Sequence, residues 1–256
     1  MMDQIRAIGF DLFNTLITVE PQTLQVANGR LFSSLIEGGF QLEEDAFRKA
    51  HRQAAMDHLA ECQKDGRETH NRFWISAALA DQGYQVSPED WRIAAAVECY
   101  FSAFLEYCHL IPGTESMLAT LKKKYRLGLL TNFTHGPAAR NILDYLGITP
   151  FFGIILISGE LGYRKPHPSV FLKLVEQFGF EPSQILYVGD DPEPDIKGAR
   201  GVGLQPVWTT YVMDHQVPYA RGILTGLPEP PDPPAPRIST WQDLLSLLNE
   251  RRDKGT

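Results

Sequence analysis

Phe10-Asp11-Leu12-Phe13-Asn14-Thr15-Leu16 is the stretch on which the reading of this chain turns. Ile5 to Phe10 supplies apolar residues with little polar interruption, as a buried central strand does, and Asp11 arrives where that strand runs out. A carboxylate at the edge of a core is costly unless something there uses its charge. Asn14 and Thr15 hydrogen-bond locally and turn the chain. They leave Asp11 at the carboxyl end of a strand, where open parallel α/β sheets place their ligands. Three later stretches decide between a plain strand end and a site.

After Leu16 the pattern is helical for roughly ninety residues. Pro21 starts a stretch with Leu24, Ala27, Leu31 and Leu35 at helical spacing, stopped by Gly38-Gly39. Glu43 to Cys62 predicts a second, more polar helix and Arg72 to Gln82 a third. Ser87-Pro88-Glu89-Asp90 predicts the cap, first-turn proline and acidic first turn of a fourth. That helix carries Ile93, Val97, Phe101 and Phe104 in one stripe, which needs a partner surface. His51 and His58, two turns apart, read as a packed or solvated helix face. From Ile111 strands and helices alternate. Strands are predicted over 125–130, 152–158, 185–188 and 204–208, with helices between them, as in a parallel sheet covered on both faces. Leu227 to Pro236 holds six prolines and predicts an extended strap, after which Thr240 caps a last helix bearing Leu244, Leu245, Leu247 and Leu248.

The second informative stretch is Leu129-Leu130-Thr131-Asn132, a strand end whose hydroxyl and backbone N–H groups suit phosphate oxygens. The third is Tyr163-Arg164-Lys165-Pro166-His167-Pro168. Proline keeps Lys165 out of a helix and aims its ammonium from a loop, where it can neutralise a developing negative charge. The fourth is Gly189-Asp190-Asp191-Pro192-Glu193-Pro194-Asp195. Its four acids within six residues, at the end of a buried strand, repel one another unless a cation sits among them, and hard oxygen ligands favour Mg²⁺.

Composition sets the bounds. At 256 residues, 43% hydrophobic and 21% charged, the chain is an ordinary globular protein. A formal charge of −7 argues against a nucleic-acid partner held through phosphates. The absence of an apolar run long enough to span a bilayer argues against a membrane protein, and the start Met-Met-Asp-Gln-Ile-Arg does not resemble a signal peptide, so a cytoplasmic location is expected. Cys62, Cys99 and Cys108 read as buried free thiols.

In order and context, Asp11, Thr131, Lys165 and the Asp190/Asp195 pair resemble the four motifs of the haloacid dehalogenase superfamily, and the resemblance covers nearly the whole chain. It implies a Rossmann-like parallel α/β core over residues 1–17 and 109–256, with an all-helical C1-type cap over 18–108. It also implies roles. Asp11 is the nucleophile, Thr131, Asn132 and Lys165 hold a phosphoryl group, and Asp11, Asp190, Asp195 and the carbonyl of Phe13 hold Mg²⁺. The implied activity is hydrolysis of a small phosphorylated metabolite through an aspartyl-phosphate. One departure matters: phosphatases of the family carry a second aspartate, the general acid and base, where this chain has Phe13. A phenyl ring transfers no proton, and loss of positioned acid–base catalysis slows a reaction by about 10²–10⁴-fold. Dehalogenases of the superfamily also have an aromatic residue there. A 2-haloacid dehalogenase and a binding protein that has lost the chemistry are therefore the alternatives.

Overall fold

The computed structural model describes residues 5–219 and 229–253. β1 (Ala7–Phe10) is followed by a tight turn and a short β2 (Ile17–Val19), then by α1 (Thr23–Glu37), α2 (Glu44–Asp65), α3 (Asn71–Asp81) and α4 (Trp91–Tyr107). The chain returns through β3 (Cys108–Leu110) and then alternates: α5 (Thr114–Lys122), β4 (Arg126–Thr131), α6 (Gly136–Tyr145), β5 (Ile154–Ile157), α7 (Ser158–Leu161), α8 (Pro168–Phe178), β6 (Ile185–Gly189), α9 (Gly198–Gly201), β7 (Gln205–Thr209), α10 (Tyr211–Asp214), β8 (Arg237–Ile238) and α11 (Trp241–Asp253).

Six strands form one parallel sheet in the order β5-β4-β1-β6-β7-β8. β1 is central, and all four of its residues are buried. Its alternating side chains feed two cores. Ile8 and Phe10 belong to the larger cluster, which runs into the helices of the insertion and into α11, whereas Ala7 packs with Leu130, Phe171, Leu174 and Tyr187 on the α8 side. Trp241, at the start of α11, sets its ring edge-on to Phe10 at 6.5 Å. The strap before it is described from residue 229; Leu227 and Pro228 lie outside the described residues. Pro236 accepts a hydrogen bond from the Trp208 N–H (2.9 Å), which ties the strap to the sheet edge.

The helical stretch differs from the sequence reading in two places. Ile17–Val19 is a strand, paired antiparallel with Cys108–Leu110, so a two-stranded ribbon carries the chain into the insertion and out again. The fourth helix is capped by Asp90, not Ser87. Asp90 holds an extended backbone, accepts the Arg92 N–H (2.9 Å) and grips the Arg92 guanidinium through both oxygens (3.0 and 2.8 Å), a bidentate hold that a serine hydroxyl lacks. Ser87 instead closes a preceding turn by accepting the Glu89 N–H. Cys62 and Cys108 are buried as expected, and Cys99 is half-buried. Among the described residues no helix is long and apolar enough to cross a membrane.

α1 and α4 pack along each other, burying Leu31 and Leu35 with Ile93, Val97 and Phe101. α2 packs against α3 and buries His51, whose ring stacks on Phe47 and lies against Trp74 and whose Nε2 has no hydrogen-bond partner. Burial pushes the His51 pKa down from 6.5 to about 4. Above pH 6.5 the imidazole is neutral in both folded and unfolded chains. As pH falls from 6.5 to 4 only the unfolded chain takes the proton, so stability is lost, by about 3 kcal/mol. Urea denaturation at pH 7.5 and pH 4.5 is expected to show that loss, and His51→Phe to reduce it while His70, also pushed down to about 4, keeps its own share. An unchanged pH dependence in the variant would contradict the buried neutral imidazole.

Candidate active site

Parallel pairing brings the predicted residues to one edge. Phe10 is level with Leu129 and with Val188, so Asp11, Thr131 and Asp190 all lie at the carboxyl ends of adjacent strands. Asp11 donates its backbone N–H to Val188 (2.9 Å) and accepts a long bond from the Thr15 hydroxyl (3.3 Å). Lys165 arrives from the loop between α7 and α8 and is 3% exposed. Its Nζ lies 2.6 Å from Asp11 Oδ1, 2.6 Å from Asp195 Oδ1 and 3.2 Å from the Tyr187 hydroxyl. The loop is held by Asn132, whose carboxamide accepts the Lys165 N–H (2.8 Å) and donates to the Lys165 carbonyl (3.0 Å). The Asn132 side chain, predicted to bind substrate, is thus committed to the backbone of Lys165.

Asp195 reaches Lys165 because Pro192–Lys197 forms a wide π-type turn, in which the Ile196 N–H reaches back to Asp191 at 3.4 Å. Its second oxygen accepts the Asp191 N–H (3.1 Å). Gly189 is required beneath it, since a β-carbon there would collide with the Asp195 carboxylate. Trp208 of β7 donates its indole N–H to the Asp190 carbonyl (2.8 Å). The Asp190 carboxylate itself makes no hydrogen bond among the described residues.

The charges do not balance. Burial pushes Asp11 up to about 6, against the pull of Lys165 and with a further push from Asp195. Burial, then Asp11, Asp195 and Asp191, hold Asp190 well above the carboxylate range. Burial alone would weaken the Lys165 ammonium, but Asp11 and Asp195 outweigh it and raise its pKa well above the ordinary value. One ammonium therefore serves a cluster of three carboxyl groups. Single oxygens of Asp11, Asp190 and Asp195 lie within 4.8 Å of one another, and that unbalanced oxygen donor set suits a hard divalent cation. Thr131 Oγ1 is buried at the same edge without a hydrogen-bond partner, available to a ligand.

Phe13 is half-buried, two residues after Asp11. Its ring stacks on Phe133 (5.0 Å between centroids), which in turn meets Phe101 and Phe104 of α4 at 5.1 and 5.8 Å. An ordered relay runs beside this wall. The Arg72 N–H donates to His70 Nδ1, which assigns the His70 proton to Nε2, facing His135 Nδ1 (3.1 Å), and leaves His135 Nε2 to donate to Glu98 (2.9 Å). Tyr187, Trp208, Phe133 and His135 were not read as site residues. The first three look like core aromatics in the sequence, and His135 carries no spacing signal.

The sequence model for haloacid dehalogenase-like hydrolases matches residues 5–203. A glyceraldehyde 3-phosphate phosphatase of Pyrococcus furiosus is 30% identical over 235 residues, covering 89% of this chain and 92% of that protein. Among solved structures, a 2-haloacid dehalogenase of Pseudomonas syringae superposes with a TM-score of 0.67 at 24% identity, covering 96% of this chain and 99% of the other. The hydrolase YfnB of Bacillus subtilis, solved with magnesium, gives 0.62 at 23%, covering 96% and 100%.

Removing the ammonium leaves buried carboxylates uncompensated, a change of about 3–5 kcal/mol where a surface lysine is worth under about 1. Lys165→Met is expected to lose stability of the larger size in urea denaturation without added metal, and Asp195→Asn in the same chain to restore part of it. A loss below about 1 kcal/mol would mean that solvent screens the cluster.

Proposed function

The chain belongs to the haloacid dehalogenase-like hydrolase family, and on that premise we propose that it is a Mg²⁺-dependent phosphatase of a small phosphorylated metabolite, with Asp11 as nucleophile. The observation that carries this reading is the Asp190 carboxylate, half-buried and unpartnered among the described residues, beside Asp11 and the Lys165–Asp195 pair. A site with surplus negative charge takes a cation, and with it a phosphate. A 2-halocarboxylate would instead add one more carboxylate to the cluster. The relative from P. furiosus, a phosphatase by name, agrees with this choice.

Asp11, Asp190, Asp195 and the Phe13 carbonyl would hold Mg²⁺. Asp190 is the freest ligand, because both oxygens of Asp195 already have donors. When bound, the metal supplies charge neutralisation for the phosphoryl oxygens. The protein's own groups do the rest. Lys165 keeps Asp11 ionised and oriented and is placed to take a phosphoryl oxygen. The buried Thr131 hydroxyl donates a second hydrogen bond. Asp11 attacks phosphorus, the bond to the leaving oxygen breaks, and water later hydrolyses the acyl phosphate. Residues 18–108 act as the cap that excludes bulk water, and their side chains select the metabolite.

Phe13 makes the leaving group decisive. With no proton donor at that position, an alkoxide departs poorly, whereas aryl and acyl phosphates need little help. A panel of p-nitrophenyl phosphate, acetyl phosphate, alkyl phosphates and 2-haloacids, each with Mg²⁺ and with EDTA, tests the reading. Aryl and acyl phosphates are expected to turn over with Mg²⁺ only, alkyl phosphates about 10²–10⁴-fold more slowly, and Asp11→Asn to abolish both. Phe13→Asp is expected to raise the alkyl rate. Halide release that is indifferent to EDTA would replace this function with the dehalogenase, the reading that Phe13 favours.

A further inference from the structure

A buried carboxylate from the helical insertion reaches into the core beside the candidate site. Glu68, in the connection between α2 and α3, has a side chain 3% exposed. The strand-like pairing of that connection with the segment before Lys165 puts it there: the Glu68 N–H donates to Gly162 (3.0 Å), and the Arg164 N–H donates to Gly66 (2.9 Å). Gly66 permits the approach. Its φ is +72°, and a β-carbon would strike the His167 ring. One Glu68 oxygen accepts from the Arg164 guanidinium (3.3 Å) and the Thr69 N–H (2.9 Å), and the other accepts the Ser158 hydroxyl.

Those partners lead to both loops of the site. Ser158 accepts the Phe133 N–H (2.8 Å); Phe133 follows Asn132, and Asn132 grips the backbone of Lys165 from both sides. Arg164 directly precedes Lys165. Glu68, Ser158, Phe133, Asn132, Lys165 and Arg164 therefore close a ring of hydrogen bonds and covalent bonds in which only Glu68 belongs to the insertion. A charged group is expensive to bury, and this one is buried only while the insertion is seated and its acceptor sites are filled.

We propose that Glu68 is a positioning residue: its seating between Ser158 and Arg164 locks the Asn132–Lys165 clasp, so that Lys165 is held in place for chemistry only when the helical insertion is docked on the core. The catalytic consequence rests on the phosphatase reading; the mechanical one does not. If the insertion lifts, Ser158 and Arg164 lose their shared acceptor, and the two loops are released together.

The test separates the two. Hydrogen exchange is measured at the amides of Phe133 and Lys165, both in the core, for the full chain and for Glu68→Ala, alongside turnover of p-nitrophenyl phosphate in saturating Mg²⁺. Exchange at both amides is expected to quicken about tenfold or more, with those of β1 and β6 unchanged. kcat is expected to fall about tenfold with a smaller change in KM, as for a group misplaced in the transition state. Ser158→Ala should reproduce the effect from the core side, and the double variant should be no worse than either single one. Glu68→Gln, which keeps the acceptor for Ser158 and loses the charge facing Arg164, carries the same reading if Glu68→Ala does not fold. Unchanged exchange at Phe133 and Lys165 in a folded variant overturns the proposal, and so does quickened exchange with unchanged kcat. If the wild type hydrolyses no phosphate ester, the phosphatase reading falls by itself, and the exchange data still decide whether Glu68 locks the clasp.

Discussion

Everything at the carboxyl edge of the sheet depends on one buried ammonium placed between two buried carboxylates. Lys165 lies 2.6 Å from Asp11 and from Asp195, in a setting where each ion alone would be strongly disfavoured. Mutual attraction offsets desolvation only if the geometry is held, and the surroundings hold it. Asn132 clasps the lysine backbone, Tyr187 accepts from its Nζ while donating to the Leu130 carbonyl (2.9 Å), and the absent side chain of Gly189 lets Asp195 come close. The lysine satisfies two carboxylates and leaves Asp190 unsatisfied, and that remainder is what the proposed cation would neutralise.

The sheet order explains why these groups meet. β1 lies between β4 and β6, so the connections that leave its carboxyl end and those of its two neighbours depart around one crevice, the place where open α/β sheets bind ligands. Asp11, Thr131 and Asp190 occupy those three ends. The helical insertion leaves the chain just after the first of them, through the ribbon of β2 and β3. Its contacts return to the same crevice: Phe101 and Phe104 on Phe133, His70 on His135, and Glu68 between Ser158 and Arg164.

What could be read in the sequence follows from how local each signal is. Asp11, Thr131 and Asp190 each stand at an abrupt change from apolar to polar residues, Lys165 is marked by the proline that follows it, and a single chain shows both signals. The helices of the insertion were legible by their periodicity, and α11 by its threonine cap, which accepts the Asp243 N–H. β2 and β3 were not, because three residues such as Ile17-Thr18-Val19 become a strand only through a partner some ninety positions away. Glu68 was illegible for the opposite reason. Lys64-Asp65-Gly66-Arg67-Glu68 reads as a solvated charged turn, and nothing within it says that one of its carboxylates is buried. Tyr187 and Trp208 passed as ordinary core residues, since the hydroxyl and indole N–H that serve the site come with rings that also fill the sheet.

Phe13 ties these levels together. In the sequence it is the one departure from the phosphatase pattern, and in the fold it is where the core meets the insertion, through Phe133 to the rings of α4. Stacked aromatic pairs contribute about 0.5–1.5 kcal/mol beyond the area they bury. A carboxylate at position 13 would forgo that contact while adding a fourth acid near a cluster of three that has one lysine. The same side chain that withholds a proton donor therefore helps to seat the insertion and keeps the negative charge from rising further. On the proposed phosphatase reading, a site organised this way would forgo acid catalysis at the leaving group and rely on the charges that face the phosphoryl group, so that among the phosphates the insertion admits, the ease with which the leaving oxygen departs unaided would rank the rates.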